Sequence, residues 1–422
     1  MRTTRRTLLL TGASVVGAPA ILAIGRAANT IKLTISHGAP PYVKMLAELG
    51  QKFMARHPET EVEFIANGDN WDLLLQNTLR EAFVGDLPDA TWQSLAYAQT
   101  LARRGISQPL EKSSGSVEKL AMLGLSRPLI DAILVNGKNY SLPFGTTIPV
   151  VYYNMDLLKR AGLAGAKLPK SWDEIVDAGK KVASLSGKVN GGYIEYASTN
   201  AWMFQNILGT LNGRMMNAEQ TDVAFDGSEG LRTLEILAQF GQTNNFDMTL
   251  DQARQAFNAG ICGVHVRTAS GINSVAKAAS GQFELQVGQL PIPNPDGRLI
   301  GAGHGFFMFA KLPERQRRVW DFISFAIGTD GQAILAKHTG YMPINMITLN
   351  DPKFLDQYFA ANPYHRSVVE RLPITGDQFY FPSTNAVKIA DIMAEEMRKV
   401  VTRRSAPDRA LAEMVQQTRK LL

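Results

Sequence analysis

The segment Asn139–Ile175, NYSLPFGTTIPVVYYNMDLLKRAGLAGAKLPKSWDEI, constrains this chain more than any other. It holds a buried-type strand at Val150–Asn154, a Pro/Gly crossing around Pro143–Thr147 and two helix starts. Lys159-Arg160-Ala161-Gly162 closes the first helix with cations and a glycine cap. Ser171 and Glu174, three apart, form a capping box that opens the second. No acid, base or nucleophile is arranged there for catalysis. Segments built this way join two lobes across a cleft.

A chain of 422 residues is too long for one ordinary core and suits two lobes. The formal charge of +6 invites a nucleic-acid reading. Four of those charges, however, are Arg2, Arg5, Arg6 and Arg26 in an acid-free leader. Without them the chain is nearly balanced and has no general pull on phosphate backbones. The leader, residues 1–28, runs from a paired arginine through an apolar stretch to small residues at Gly25-Arg26-Ala27-Ala28. Gly12, Gly17 and Pro19 make that stretch a poor permanent span. It reads as an export signal of twin-arginine type, cleaved near Ala27–Asn29, and the expected location is the periplasm. Cys262 is the only cysteine, in apolar surroundings, so it reads as a small core residue and rules out thiolate metal sites.

Ile31–Ser36 alternates as a strand, Tyr42–Arg56 follows helical spacing, Val62–Ala66 is a second strand and Trp71–Phe83 a second helix. This alternation predicts an α/β fold with a mostly parallel sheet. Ligands sit at the carboxyl ends of such strands. Here those ends carry Ser36-His37-Gly38, Asn67-Gly68-Asp69-Asn70 and Trp92-Gln93-Ser94, which suit hydroxyl groups better than a bare anion.

Catalytic signatures are missing. The chain has no nucleophile elbow, Walker loop or zinc-protease pattern, and its six histidines lack paired ligand spacing. Gly301–Gly305 leads into an apolar strand, not a helix, so it fails as a dinucleotide loop. Neither a cofactor nor a metal is expected. Aromatic faces near strand ends are the other signal: Trp92, Trp202 and Tyr193 either stack on a sugar ring or pack in the core.

In order and spacing, several segments resemble the extracellular solute-binding proteins of ABC importers, the maltose-, oligosaccharide- and glycerol-3-phosphate-binding group. They are Tyr140–Gly145 running into Val151–Leu158, then Leu168–Glu174, Gln255–Gly260, Gln289–Pro293, Gly301–Gly305 and Gly340–Ile344. The resemblance covers nearly the whole mature chain. It implies a two-lobed periplasmic-binding-protein fold of type II, maltose-binding-like, with crossings near Gly145–Thr147, Gly301–Gly305 and Met342–Asn350. One lobe would comprise residues 29–144 and 303–345, the other 145–302 and 346–422. Carried over by position, the ligand contacts would be His37, Asp69, Asn70, Trp92, Ser94, Thr146, Gly303, His304, Gly305, Tyr341, Ser383 and Asn385.

The resemblance departs at Phe381–Ala386, which lacks the arginine that pairs phosphate in glycerol-3-phosphate binders. Arg267 or Lys388 is the candidate to meet an anion instead. The expected protein is a monomeric binding subunit, not an enzyme, that closes on a sugar, oligosaccharide or polyol and docks on an inner-membrane permease. An anionic sugar derivative on the same scaffold is the alternative. An exported cofactor-dependent enzyme is the competing class.

Overall fold

The computed structural model describes residues 30–422 except 39, 112–116, 126–133, 166, 186–188, 244–246, 372–373, 377 and 384. The export leader and its cleavage site lie outside the described residues.

In chain order the strands are β1 (Ile31–His37), β2 (Thr60–Ala66), β3 (Ala90–Ser94), β4 (Leu134–Val135), β5 (Lys138–Asn139), β6 (Ser141–Thr147) and β7 (Pro149–Asn154). They continue with β8 (Asn190–Ile194), β9 (Cys262–Thr268), β10 (Leu285–Gln289), β11 (Leu299–Ile300), β12 (Ala302–Met308) and β13 (Thr375–Gly376). They form two principal sheets. The N-lobe sheet runs β2-β1-β3-β12-β6 and the C-lobe sheet β10-β7-β9-β8. Each sheet has its own apolar core. Phe53, Trp92, Phe144, Phe306 and Phe322 anchor one, and Tyr152, Ile175, Phe204, Phe240 and Phe257 the other.

β1 pairs in parallel with β2 and β3, whereas β12 runs antiparallel to both β3 and β6. The register puts His304 opposite Ser94 and Gly145, and His37 opposite Ala66 and Trp92. His37, Ser94, Thr146 and His304 therefore converge on one edge of the N-lobe sheet. Helix Trp71–Val84 starts at the same edge, because the Asn70 side chain accepts from Leu73 N at 2.8 Å and caps it. In the other lobe Ser171 and Glu174 make the expected capping box.

The chain passes from β6 directly into β7 and returns from β11 into β12. The third crossing lies later than Met342–Asn350. Helices Met346–Leu349 and Pro352–Ala361 still pack on the N-lobe helix Thr329–His338, and Met346 N donates to Gly124 O. The chain first meets β10 at helix Arg366–Val369. The buried Asn345 explains the delay: its amide donates at 2.8 Å to Leu123 O and to Ile327 O, tying this segment to the N-lobe.

The lobes touch at Thr339–Tyr341 against Ala269–Asn273. Gly340 N donates to Ser270 O at 2.9 Å and Asn273 Nδ2 to Thr339 O at 2.9 Å. A Cβ on Gly340 would lie 2.2 Å from Ala269 O. Gly340→Ala should therefore lower stability by about 1–3 kcal/mol, measured by urea unfolding, because backbone must move to admit one methyl.

Candidate ligand-binding cleft

Two unlike walls face each other across the lobes. The N-lobe wall is aromatic. Trp71 stacks on His304 with ring centres 4.0 Å apart, and Trp92 meets Trp71 edge-on at 5.2 Å. Tyr42 touches Trp92 at 5.8 Å and Tyr341 at 5.6 Å, and Tyr341 reaches His304 at 5.2 Å. Trp92, His304 and Tyr341 are buried, while Tyr42 and Trp71 keep partly open faces. Trp92 Nε1 and His304 Nδ1 are buried with no hydrogen-bond partner, an arrangement whose desolvation cost falls when a ligand supplies one. Burial lowers the His304 pKa to about 3, so its ring is neutral.

The C-lobe wall is charged. Alternation places His265 and Arg267 on one face of β9, beside Glu195, which continues β8. Helix Leu250–Asn258, opened by a capping box of Thr249 and Gln252, delivers Arg254 to the same spot. Glu195 accepts from Arg254 Nε at 2.8 Å and Nη2 at 3.0 Å. Its Oε1 lies 3.6 Å from Arg267 Nε and 3.5 Å from His265 Nε2. Burial alone would raise the Glu195 pKa, but Arg254 and Arg267 outweigh it and hold the carboxyl far below the ordinary range. Burial lowers His265 to about 4 in spite of Glu195. Two arginines and a neutral histidine surround the buried Glu195, and the exposed Asp251 lies 3.8 Å from Arg254 Nη1, so two carboxylates balance the two guanidinium groups. Arg254 keeps 34% of its side chain exposed and interacts electrostatically with Tyr42 and Tyr341 of the opposite wall.

The residues singled out from sequence divide accordingly. Trp92, His304 and Tyr341 come together in the aromatic wall; His37 and Ser94 are buried at the same sheet edge. Thr146 Oγ1 donates to Ala302 O at 3.3 Å beside the return crossing. Gly303 and Gly305 meet a packing need: a Cβ on either would strike Leu95, and on Gly305 also Leu142 O at 2.3 Å. Asn70 is occupied as a helix cap, and Asp69 is exposed on the loop before it.

Trp202 packs in the C-lobe, donating Nε1 to Ile300 O at 2.8 Å, and Tyr193 donates to Met248 O at 3.0 Å. Both are core residues, the second of the two readings open for them. Ser383 and Asn385 turn away to bond Leu421 O at 2.6 and 3.2 Å. Arg267 packs its guanidinium over Tyr152 and against Gly271, so its charge reaches the cleft as a field more than as a free donor. Sequence reasoning missed Tyr42, Trp71 and Arg254. The signals were there: an aromatic after Pro40-Pro41, an aromatic at a helix start, and an arginine inside a Thr249/Gln252 capping-box helix.

Residues 48–357 match the bacterial extracellular solute-binding protein family. The chain belongs to that family. Its resemblance to the solute-binding components of ABC importers therefore holds. It is 24% identical to the sn-glycerol-3-phosphate-binding periplasmic protein UgpB of Brucella suis, over 94% of each chain. It is also 24% identical to the UgpB of Agrobacterium fabrum, over 67% of this chain and 66% of that one. Among solved structures, UgpB from Mycobacterium tuberculosis in complex with glycerophosphocholine superposes with a TM-score of 0.80 at 20% identity, covering 92% of this chain and 97% of that one. Maltose-bound MalE3 from T. maritima gives 0.77 at 19%, covering 93% and 100%. The fold is the two-lobed, maltose-binding-like one expected. Among the described residues, no helix of this solute-binding protein is long and apolar enough to cross a membrane.

Two predictions follow from the charged and aromatic walls. Arg254→Ala should cost about 2–4 kcal/mol in urea unfolding at neutral pH, because it strips a buried carboxylate of its best partner. The same change on a Glu195→Gln background should cost clearly less. Stability should also fall as pH drops below about 6.5, since the unfolded chain protonates His265 and His304 there while the folded one resists until about 4 and about 3. His304→Gln should flatten that slope by up to about 1.4 kcal/mol per pH unit, read from unfolding midpoints across the range.

Proposed function

We propose that this protein captures a polyhydroxyl ligand bearing a negative charge, of the glycerol phosphoester class, and hands it to an ABC permease from the periplasm. The observation that carries this reading is the placement of the half-exposed Arg254, beside Arg267, in the wall that faces the aromatic one across the lobes. Arg254 keeps an open face, and its Nη1, 3.8 Å from the exposed Asp251, can turn to a phosphate oxygen. Tyr42 and Trp71 offer partly open rings to the ligand's C–H surface, and the unpartnered Trp92 Nε1 and His304 Nδ1 suit its hydroxyls. The names of the UgpB relatives agree with such a ligand.

A neutral oligosaccharide is the second reading, and the size of the aromatic wall is what favours it. The protein then acts by closure in either case: contacts from both walls exist together only when the lobes meet. Residues 1–28 would direct export, and no catalytic step is assigned to the cleft.

A thermal-shift and calorimetric panel of sn-glycerol-3-phosphate, glycerophosphocholine, maltose and glycerol separates the readings. The phosphoesters should raise the melting temperature, with about 2.7 kcal/mol of added stability at a hundredfold excess over Kd. Arg254→Gln should weaken them at least tenfold, roughly the worth of one charge-assisted bond. Hits confined to maltose would overturn the anionic reading in favour of the neutral one.

A further inference from the structure

Arg254 stands between two acids. Its Nε and Nη2 are taken by the buried Glu195, while its Nη1 lies 3.8 Å from Asp251 Oδ1, beyond hydrogen-bond reach. Asp251 comes three residues before Arg254 on helix Leu250–Asn258, so the two side chains share one face of that helix. It falls in the first turn, where the helix N-terminus favours a negative group. The Thr249–Gln252 capping box fixes that turn: Thr249 Oγ1 accepts from Gln252 N at 3.2 Å, and Gln252 Oε1 accepts from Thr249 N at 2.9 Å. Asp251 takes no part in the box and leaves 84% of its side chain exposed.

The guanidinium of Arg254 therefore has one edge committed and one edge free. A phosphate oxygen bonded to Nη1 at about 2.8 Å lies within about 7 Å of Asp251 Oδ1, whatever its direction of approach. It meets a like charge in the act of meeting Arg254. Among the described residues, no second cation of this wall relieves that. Arg267 is buried, with its guanidinium over Tyr152 and against Gly271. His265 is neutral, since burial lowers its pKa to about 4. On the opposite wall the groups that interact with Arg254 are Tyr42 and Tyr341, phenols that bring hydrogen bonds and no positive charge.

Repulsion of this kind scales with ligand charge. At a separation of about 7 Å, with a dielectric between that of water and of a protein surface, two unit charges oppose each other by roughly fivefold in an equilibrium constant. A phosphodiester carries one charge across the neutral range. A phosphomonoester carries one charge below its second pKa of about 6 and two above it. With Asp251 present the charges around the free edge cancel, so a second ligand charge gains nothing there.

We propose that Asp251 is a specificity-determining residue, which makes the cleft favour a singly charged phosphoester over a doubly charged one. This selection, which rests on the phosphoester reading, acts at the free edge of Arg254 and needs no contact between Asp251 and the ligand.

Isothermal titration calorimetry at low ionic strength tests it with two ligands: sn-glycerol-3-phosphate, doubly charged at about pH 8, and glycerophosphoglycerol, a diester that stays singly charged. Asp251→Asn should tighten the monoester at about pH 8 by roughly fivefold more than it tightens the diester. At about pH 5 the monoester is mostly singly charged, and the variant should then change both ligands alike. Asp251→Glu, which restores the charge, should return the wild-type ratio of the two affinities. An acid needed only to start the helix would shift both affinities together at both pH values. Equal changes for the two ligands at the higher pH, or no change in either, would therefore overturn the proposal. Should Asp251→Asn not fold, Asp251→Ser, also suited to a helix start, must show the same difference. Failure of both phosphoesters to bind any of these proteins would instead overturn the phosphoester reading itself.

Discussion

A carboxylate removed from water has to be held by cations, and Glu195 is removed almost completely. Its bidentate bond to Arg254 and its proximity to Arg267 and His265 fasten β8, β9 and helix Leu250–Asn258 into one unit. The cluster does more than fix the C-lobe. Arg254 is the member of the cluster with an open face, and it stands between the buried Glu195 and the exposed Asp251 at the edge of the cleft. The bonds that fix the C-lobe thus also fix where Arg254 stands at the cleft.

The opposite wall works by shape. Trp71, Trp92, His304, Tyr42 and Tyr341 come from five separate stretches of chain, and each ring meets at least two of the others edge-on or stacked within about 6 Å. Antiparallel insertion of β12 beside β3 is what brings His304 to Trp92 and Trp71. Gly305 permits that insertion, since any side chain there would meet the Leu142 carbonyl. The glycine run from Gly301 therefore serves the sheet first and the cleft second. Farther along, the lobes meet again where Thr199 Oγ1 approaches Asp72 Oδ2 at 3.5 Å.

Much of the scaffold was legible locally. Alternation at Ile31–Ser36, the run Val150–Asn154 and the Ser171/Glu174 box all report on neighbours within a few residues, and the structure has β1, β7 and a capped helix there. Strands β8 and β9 escaped notice because Asn190-Gly191-Gly192 and Cys262-Gly263 are poor in strand formers. Their glycines are there for close packing: a Cβ on Gly191 would lie 2.0 Å from Gly179 O. The third crossing was placed too early because Gly340–Ile344 has turn character, while Asn345, whose amide bonds Leu123 O and Ile327 O of the N-lobe and whose Oδ1 caps the next helix, looks like any other asparagine.

By itself the sequence determined the architecture: a two-lobed α/β chain of the solute-binding family. Those properties rest on periodicity, caps and segment order, all of which are short-range. Only the tertiary structure decided which polar and aromatic groups share the cleft. Trp92 and Trp202 are indistinguishable as letters, yet one joins the aromatic wall and the other spends its N–H on Ile300. Arg254 and Glu195 lie 59 residues apart, and Asp72 and Thr199 lie on different lobes. Pairing across such separations depends on distance and burial, and neither quantity exists until the lobes have folded and met.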